Sequence, residues 1–349
     1  MGDARMGDVR MGDMDPHPAL LRMINSQADA IERMAQADLS GPAQRLAGAR
    51  RIILVGTGTS QHAAELGALM LADAGLDARP SSSAHFARWA APLRPGDAAI
   101  VISHTAETAF ARRCREQTLA AGVPLVSITG IGSGWPEAIE TVDREQSETY
   151  TVSYSATLTV LAVLAAHLGA ANYDADTLQA TATAVRTVIE MAGTETAGTD
   201  RIGLPARGLA IIGVGPWAVT AREGALKIRE ASRTLAEGFE AESYLHGSAV
   251  PFGAADGLIL LEPERDPDGL VAALGRAAQE EGMAVSTLAA PRSDNSNQDL
   301  PPVLAQLPMI VRLQLLAAQF ALAKRQNPDV AITGAWAAAD LWRLGAPSV

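Results

Sequence analysis

Residues 209–230 read LAIIGVGPWAVTAREGALKIRE, and the order of residue types in that stretch sets the fold class. Leu209 to Val214 is a short apolar run, Gly213 and Gly215 make a Gly-x-Gly turn, and the residues after that turn have helical spacing. A strand that passes through a glycine turn into a helix is the repeating unit of an open α/β sheet, and such sheets bind ligands at their strand C-termini. Glu223, Lys227 and Glu230 stand at i, i+4 and i+7 and so line one face of that helix. Ala225, Leu226 and Ile228 are left to pack elsewhere on it. Taken alone, the E-x-x-x-K-x-x-E spacing also fits a solvated, salt-bridged face. Two lysines among 28 basic residues make this ammonium a less arbitrary choice of cation, because its pKa responds to burial as a guanidinium's does not. The stretch continues ASRTLAEGFEAESYLHGS to Ser248, which adds His246 in a turn beyond the helix.

The same order occurs earlier in the chain. Arg51 to Val55 is a β-branched run ended by Gly56-Thr57-Gly58-Thr59-Ser60, with a helix from His62 to Ala74. Free N–H groups at a helix start, approached over glycines, suit a phosphate. Ala98 to Ile102 is a further buried strand, ending in Ser103-His104-Thr105-Ala106-Glu107-Thr108. In a parallel sheet those two ends share an edge, so their hydroxyls and N–H groups can converge on one anion. His62 reads as a surface or helix-packing residue, and Cys114 as incidental.

Strands are also expected at Pro124–Thr129, Gly257–Leu261 and Ala284–Leu288, with a further extended piece at Glu148–Val152. Helices are expected over Leu20–Ala49 in two segments, Ser155–Leu168, Tyr173 onward, and Pro308–Lys324. The fold class is therefore α/β, two units of similar plan, each a parallel sheet flanked by helices. The divisions expected are a disordered segment 1–18 built on the repeat MGDAR, MGDVR, MGDMD, a first domain 19–195, a second domain 196–325 and a tail 326–349. Trp336 and Trp342 are expected to pack the tail down over a cleft.

At 349 residues the chain is long enough for two cores. A formal charge of −11 argues against a nucleic-acid groove or an anionic membrane as partner. The single cysteine leaves no internal disulfide and no multi-cysteine metal site. No apolar run approaches bilayer length and no signal peptide is evident, so a reduced cytoplasm is the expected compartment.

The GTGTS turn, the SHTAET turn and above all EGALKIRE followed by AEGFEAESYLHGS resemble the sugar isomerase (SIS) domain family. The likeness is to the paired SIS domains of glucosamine-6-phosphate synthase and its shorter relatives, the amino-sugar-phosphate deaminases and fructosamine-phosphate deglycases. It implies two flavodoxin-like three-layer sandwiches and a phosphosugar isomerase or deaminase acting on an amino- or ketosugar 6-phosphate. By the same resemblance Gly58, Thr59, Ser60, Ser103, His104, Thr105 and Thr108 hold the sugar phosphate, and Glu230 moves a proton between C1 and C2 with Lys227 beside it. His246 assists ring opening from the neighbouring subunit of a homodimer. No cofactor and no metal are implied, and no glutaminase domain is expected. The alternative is a non-catalytic sugar-phosphate-binding sensor. Three positions depart from the family pattern: the second turn has His104, Thr105 and Ala106 where Gln, Ser and Gly are usual, no lysine follows Lys324, and Ser248 replaces a proline.

Overall fold

The computed structural model of the chain describes residues 18–192, 202–289 and 299–347. The N-terminal repeat and the expected boundary at 195–196 lie outside these. Helices α1 (Ala19–Asn25), α2 (Gln27–Ala35) and α3 (Ser40–Leu46) lead into β1 (Arg51–Gly56), α4 (Thr59–Asp73), β2 (Ala78–Ser82) and α5 (Ser83–Arg88). Then come β3 (Asp97–Ile102), α6 (Ala109–Ala120), β4 (Leu125–Thr129), β5 (Ala138–Glu140), α7 (Val152–His167) and α8 (Ala175–Glu190). The later half contains β6 (Gly208–Gly213), α9 (Pro216–Ser232), β7 (Leu235–Glu240), α10 (Ala241–Ser243), β8 (Gly257–Leu261) and α11 (Leu270–Glu280). It closes with β9 (Ala284–Leu288), α12 (Gln306–Ala323) and α13 (Ala339–Arg343).

The strands form two sheets, ordered β2-β1-β3-β4-β5 and β7-β6-β8-β9, and every pairing is parallel. Parallel strands need helical crossovers, which cover both faces of a sheet and make its strands apolar throughout. The side chains alternate accordingly. Ile52 and Leu54 of β1 and Ile211 of β6 point into one central core. Ile53 and Val55 point into an outer core with Phe86 of α5 and Cys114 of α6, and Ala210 and Ile212 into another with Val271 and Leu274 of α11. Each sheet is thus the middle of a three-layer sandwich, as the sequence predicts.

The central core is shared. It runs from Leu20 of α1 through α4, α7 and α9 to Phe320 of α12, and includes inward residues of both sheets. Helix α7 is buried on nearly every side, as expected of a core helix without a polar face. Against the expectation that no apolar run approaches bilayer length, helix α12 is long and apolar enough by length and composition to cross a membrane, yet most of it is buried inside the protein, as in a core helix. Each leucine or isoleucine fully buried here contributes about 1.5–3 kcal/mol.

Three short strands were not foreseen. β2 is ARPSS and β7 is LAEGFE, both edge strands of mixed polarity, and β5 has three residues. Edge strands with one wet side carry no continuous apolar run, so no apolar-run signal marks them. Conversely, Glu148–Val152 is not a strand. It is an irregular segment that enters α7 at Val152.

The tail also departs from expectation. Its backbone is tied down: Pro328 O accepts from Ser147 and Thr149 hydroxyls at 3.3 and 2.8 Å, and Glu148 Oε2 accepts from Ala331 and Ile332 N–H. The Asp329 carboxylate receives the N–H groups of Ala19 and Leu20 at 2.8 Å each and so caps α1. Yet Trp336 and Trp342 are 75% and 58% exposed. The Trp342 indole donates to Trp336 O at 2.6 Å, so this part of the tail folds on itself, and the backbone anchors do the holding the tryptophans were expected to do.

Candidate functional site

Helix α9 begins at Gly215, whose φ of 54° suits only glycine comfortably, with Pro216 in the first turn, and ends at Arg233 in the left-handed region. Gly224 lets α12 come close: a Cβ there would lie 2.3 Å from Leu313. The helix is therefore clamped between its sheet and α12. Its polar face, Glu223, Lys227 and Glu230, is turned toward α4 of the first unit.

Helix α4 begins in the same way. Gly58 has φ 57° and ψ −127°, Gly215 has φ 54° and ψ −127°. From its first turn the Thr59 hydroxyl donates to Glu223 Oε1 at 3.0 Å and accepts from Lys227 Nζ at 2.9 Å. Lys227 Nζ lies 2.7 Å from Glu230 Oε2 and 3.5 Å from Glu223 Oε1. The side chains of Lys227 and Glu223 are fully buried, while that of Glu230 is 21% exposed. Glu230 is thus the least buried of the three, although its Oε2 is itself covered.

The charges are held by one another. Burial alone would lower the Lys227 pKa, but Glu230 and Glu223 outweigh it and the ammonium is pushed up to about 12. Burial would raise Glu223, yet Lys227, His62 and Thr59 together hold it below the ordinary carboxylate value. For Glu230 burial prevails and the pKa is raised, Lys227 offsetting part of it. The sequence left that balance open.

His62 sits one turn into α4, its side chain 13% exposed and its Nδ1 2.6 Å from Glu223 Oε2. It is part of the cluster, not a surface or packing residue. At i+3 from Thr59 it shares that residue's helix face, and this was the only sign available in the sequence.

β1 and β3 are adjacent and parallel, with Val55 opposite Val101, so the turns after them leave the same sheet edge side by side. β1 is also where the strand order reverses, β2 lying on one side and β3 on the other, which is the crevice position of an open sheet. In the second turn Ser103 Oγ approaches Thr108 Oγ1 at 3.5 Å, Thr108 precedes α6 without a side-chain capping bond, and Ala106 adopts φ 56°. His104 Nε2 accepts from Glu145 N–H at 3.3 Å, which leaves the ring proton on Nδ1. Burial, with Arg144 nearby, depresses the His104 pKa to about 4. The ring is neutral near pH 7, and its Nδ1 is buried against Gly130 without a partner, so the imidazole shapes the turn and offers an anion neither charge nor an open donor, against the expectation from the sequence.

Glu145 itself is buried and its pKa is raised by that burial, although Ser153 and Thr151 bond to it. It accepts from Thr151 N–H, Ser153 N–H and the Ser153 hydroxyl, filling the open N-terminus of α7. His246 lies apart from this cluster. It occupies a kinked turn at Tyr244–Ser248, is 73% exposed, and has Glu242 at 3.8 Å as its ion-pair neighbour.

Fold and site define a doubly wound α/β protein with a crevice at a sheet switch point and a buried carboxylate–ammonium cluster beside it. Residues 45–167 match the family model described as SIS domain, so the chain contains an SIS domain. The chain is also homologous to glutamine–fructose-6-phosphate aminotransferase (isomerizing) of Caulobacter vibrioides, with 26% identity over 313 residues. That match takes in 80% of this chain and 50% of the relative, so the chain spans half the length of the curated relative it matches.

Solved structures repeat the fold. Tagatose-6-phosphate ketose/aldose isomerase from Escherichia coli superposes with a TM-score of 0.75 at 17% identity, over 92% of this chain and 97% of that one. Glucosamine-6-phosphate deaminase from Thermotoga maritima gives 0.72 at 15% identity, over 89% and 96%. The C-terminal domain of glucosamine-fructose-6-phosphate aminotransferase from Francisella tularensis gives 0.72 at 18%, over 89% and 98%. At these identities the likeness is one of fold.

Proposed function

We infer that the protein is a phosphosugar isomerase or deaminase, acting on an amino- or ketosugar 6-phosphate with or without loss of ammonia or an amine. One observation carries this: Lys227 bridges the two units, touching Thr59 of the phosphate-type turn at 2.9 Å and Glu230 at 2.7 Å. A carboxylate with a partly exposed side chain thereby stands beside the turn that this reading gives to the anion.

In this reading the backbone N–H groups around Gly58–Ser60 and the hydroxyls of Ser60, Ser103, Thr105 and Thr108 hold the phosphate, while the buried ring of His104 shapes the second turn. The Thr59 hydroxyl is already engaged by Lys227 and Glu223, so Thr59 serves chiefly to join turn and cluster. In the open-chain sugar Glu230 takes the proton from one of C1 and C2. The C–H electron pair becomes the C=C of an enediol or enolamine as the carbonyl oxygen takes a proton from solvent. When Glu230 returns its proton to the neighbouring carbon, the O–H or N–H on the other carbon gives a proton back to solvent as the new C=O or C=N forms. Where nitrogen leaves, water hydrolyses that C=N and ammonia or the amine departs. A carboxylate whose pKa is raised is a stronger base for that task, and Lys227 keeps it oriented. His246 opens the ring from a partner subunit in a homodimer, consistent with the exposure of its turn, where Leu245 and Val250 are 55% and 84% exposed. The compartment is the reduced cytoplasm.

The test is an assay of the purified protein against glucosamine 6-phosphate, fructose 6-phosphate and fructosamine phosphates. Turnover that Glu230→Gln removes is the expected result. Unchanged activity in Glu230→Gln would overturn the assignment, as would sugar-phosphate-dependent thermal stabilisation without product by NMR, which marks a binding protein.

A further inference from the structure

Lys227 has two carboxylates to serve and favours one. Its Nζ stands 2.7 Å from Glu230 but 3.5 Å from Glu223, although both lie on its own helix. The difference lies in what else Glu223 holds. Its Oε2 is taken by His62 Nδ1 at 2.6 Å and its Oε1 by the Thr59 hydroxyl at 3.0 Å, both from α4. Glu223 is fully buried and its pKa is held below the ordinary value, so it accepts as a carboxylate and Nδ1 of His62 carries the donated proton. A carboxylate that already accepts one strong hydrogen bond on each oxygen has part of its charge offset and attracts a further donor less, and the ammonium is left to Glu230.

We propose that His62 is a positioning residue that decides which glutamate Lys227 serves: by occupying Glu223 it releases the ammonium to align Glu230. The inference rests on the proposed function for its catalytic meaning, but the geometry stands without it. Removing the imidazole leaves Glu223 Oε2 buried and unpaired, a costly state. The nearest remedy is for that carboxylate to draw Lys227 toward itself, which shortens the 3.5 Å separation and loosens the contact with Glu230. The other charges that act on the ammonium and on Glu230 are Glu145 and Arg229, whereas the bond of His62 goes to Glu223.

The chain has two lysines, Lys227 and Lys324, so protein labelled with 13C,15N-lysine yields two sets of side-chain signals. His62→Ala is expected to shift the Lys227 signals while those of Lys324 stay in place and report an intact fold. His62→Asn, whose amide N–H can stand near the position of Nδ1, returns Lys227 toward its original shifts. His62→Leu keeps volume without a donor, serves if the alanine variant does not fold, and behaves like it. Lys227 signals that ignore all three substitutions in folded protein overturn the proposal. With phosphosugar turnover in hand, His62→Ala lowers kcat by about 10- to 100-fold with KM within about twofold, and His62→Asn recovers part of it. An unreactive wild type would defeat the proposed function, while the lysine signals would still decide the role of His62.

Discussion

Glu65 and Arg222 occupy the same position in α4 and α9, the seventh after the capping glycine in each helix, and they bind each other through two contacts, at 2.5 and 3.3 Å. Pairing between equivalent places is the pattern that an approximate twofold axis between the two sheet units would produce. The same equivalence shows what the second unit lacks. Pro216 and Trp217 stand where the first unit has Thr59 and Ser60, and Glu262-Pro263-Glu264-Arg265-Asp266-Pro267 comes after β8 where Ser103–Thr108 comes after β3. The second unit keeps the frame without the hydroxyls and supplies the glutamates and lysine instead.

The Glu65–Arg222 pair sits at mixed exposure, with Arg222 39% exposed, so its worth is modest. Glu65→Ala or Arg222→Ala should each cost on the order of 1 kcal/mol in urea unfolding. Because the two positions are equivalent, the exchange Glu65→Arg with Arg222→Glu should restore most of that loss. An exchange no better than either single change would contradict the axis.

Ala106 takes φ 56° in the second turn, its N–H closing onto Ser103 O at 3.1 Å. An L-residue in that region carries about 1–2 kcal/mol of strain that glycine avoids, against glycine's larger unfolded-state entropy. Ala106→Gly should therefore raise stability slightly, by up to about 1 kcal/mol, with no shift of the turn. A loss of stability would show that the methyl contributes packing that outweighs the strain.

His104 gives the protein an acid limit. Its folded pKa of about 4 lies below the ordinary 6.5, so the stability due to its neutral ring is complete above pH 6.5 and is lost as pH falls through 4. The amount is about 3 kcal/mol. Urea midpoints should fall across that window, and His104→Gln should flatten this part of the slope. An equal slope in both proteins would place the acid sensitivity elsewhere.

Glu230, with its pKa raised by burial, should place the acid limb of kcat/KM above 4.5, the ordinary glutamate value. Lys227, pushed up to about 12, should impose no alkaline limb below about pH 10. A limb at or under pH 4.5 would remove Glu230 as the proton carrier.

Neither lysine is a free amine. Lys227 is buried and charged, and Lys324 Nζ donates to Arg233 O at 2.9 Å, where it caps the end of α9. A Schiff base needs a neutral amine, so borohydride added during incubation with a ketose phosphate should leave the lysines unmodified by mass spectrometry. A reduced adduct at either one would require a different reaction course.

The periodic and apolar parts of this fold were plain in the sequence. β1, β3, β4, β6 and β8 are largely apolar runs before a turn, α9 has helical spacing, and α7 and α12 are long apolar stretches, so their positions come from residue type alone. β2 and β7 were hidden because an edge strand such as ARPSS is wet on one side and is strand only through its neighbour. In the site, the face of Glu223, Lys227 and Glu230 could be read from spacing, because all three lie on one helix. The contact of His62 with Glu223 could not, since 161 residues separate them and only the packing of α4 on α9 brings them together. The tryptophans of the tail misled for a related reason: aromatic character suggests burial, and here backbone groups do the anchoring.

The helices between the two sheets have a sheet on either side and one apolar interior in common. Neither half therefore owns a complete lining, and a fragment carrying one sheet would present to water a face that the intact molecule hides. Melting should accordingly be a single event, and recombining one half with that of a relative would demand that the seam be refitted along its whole length.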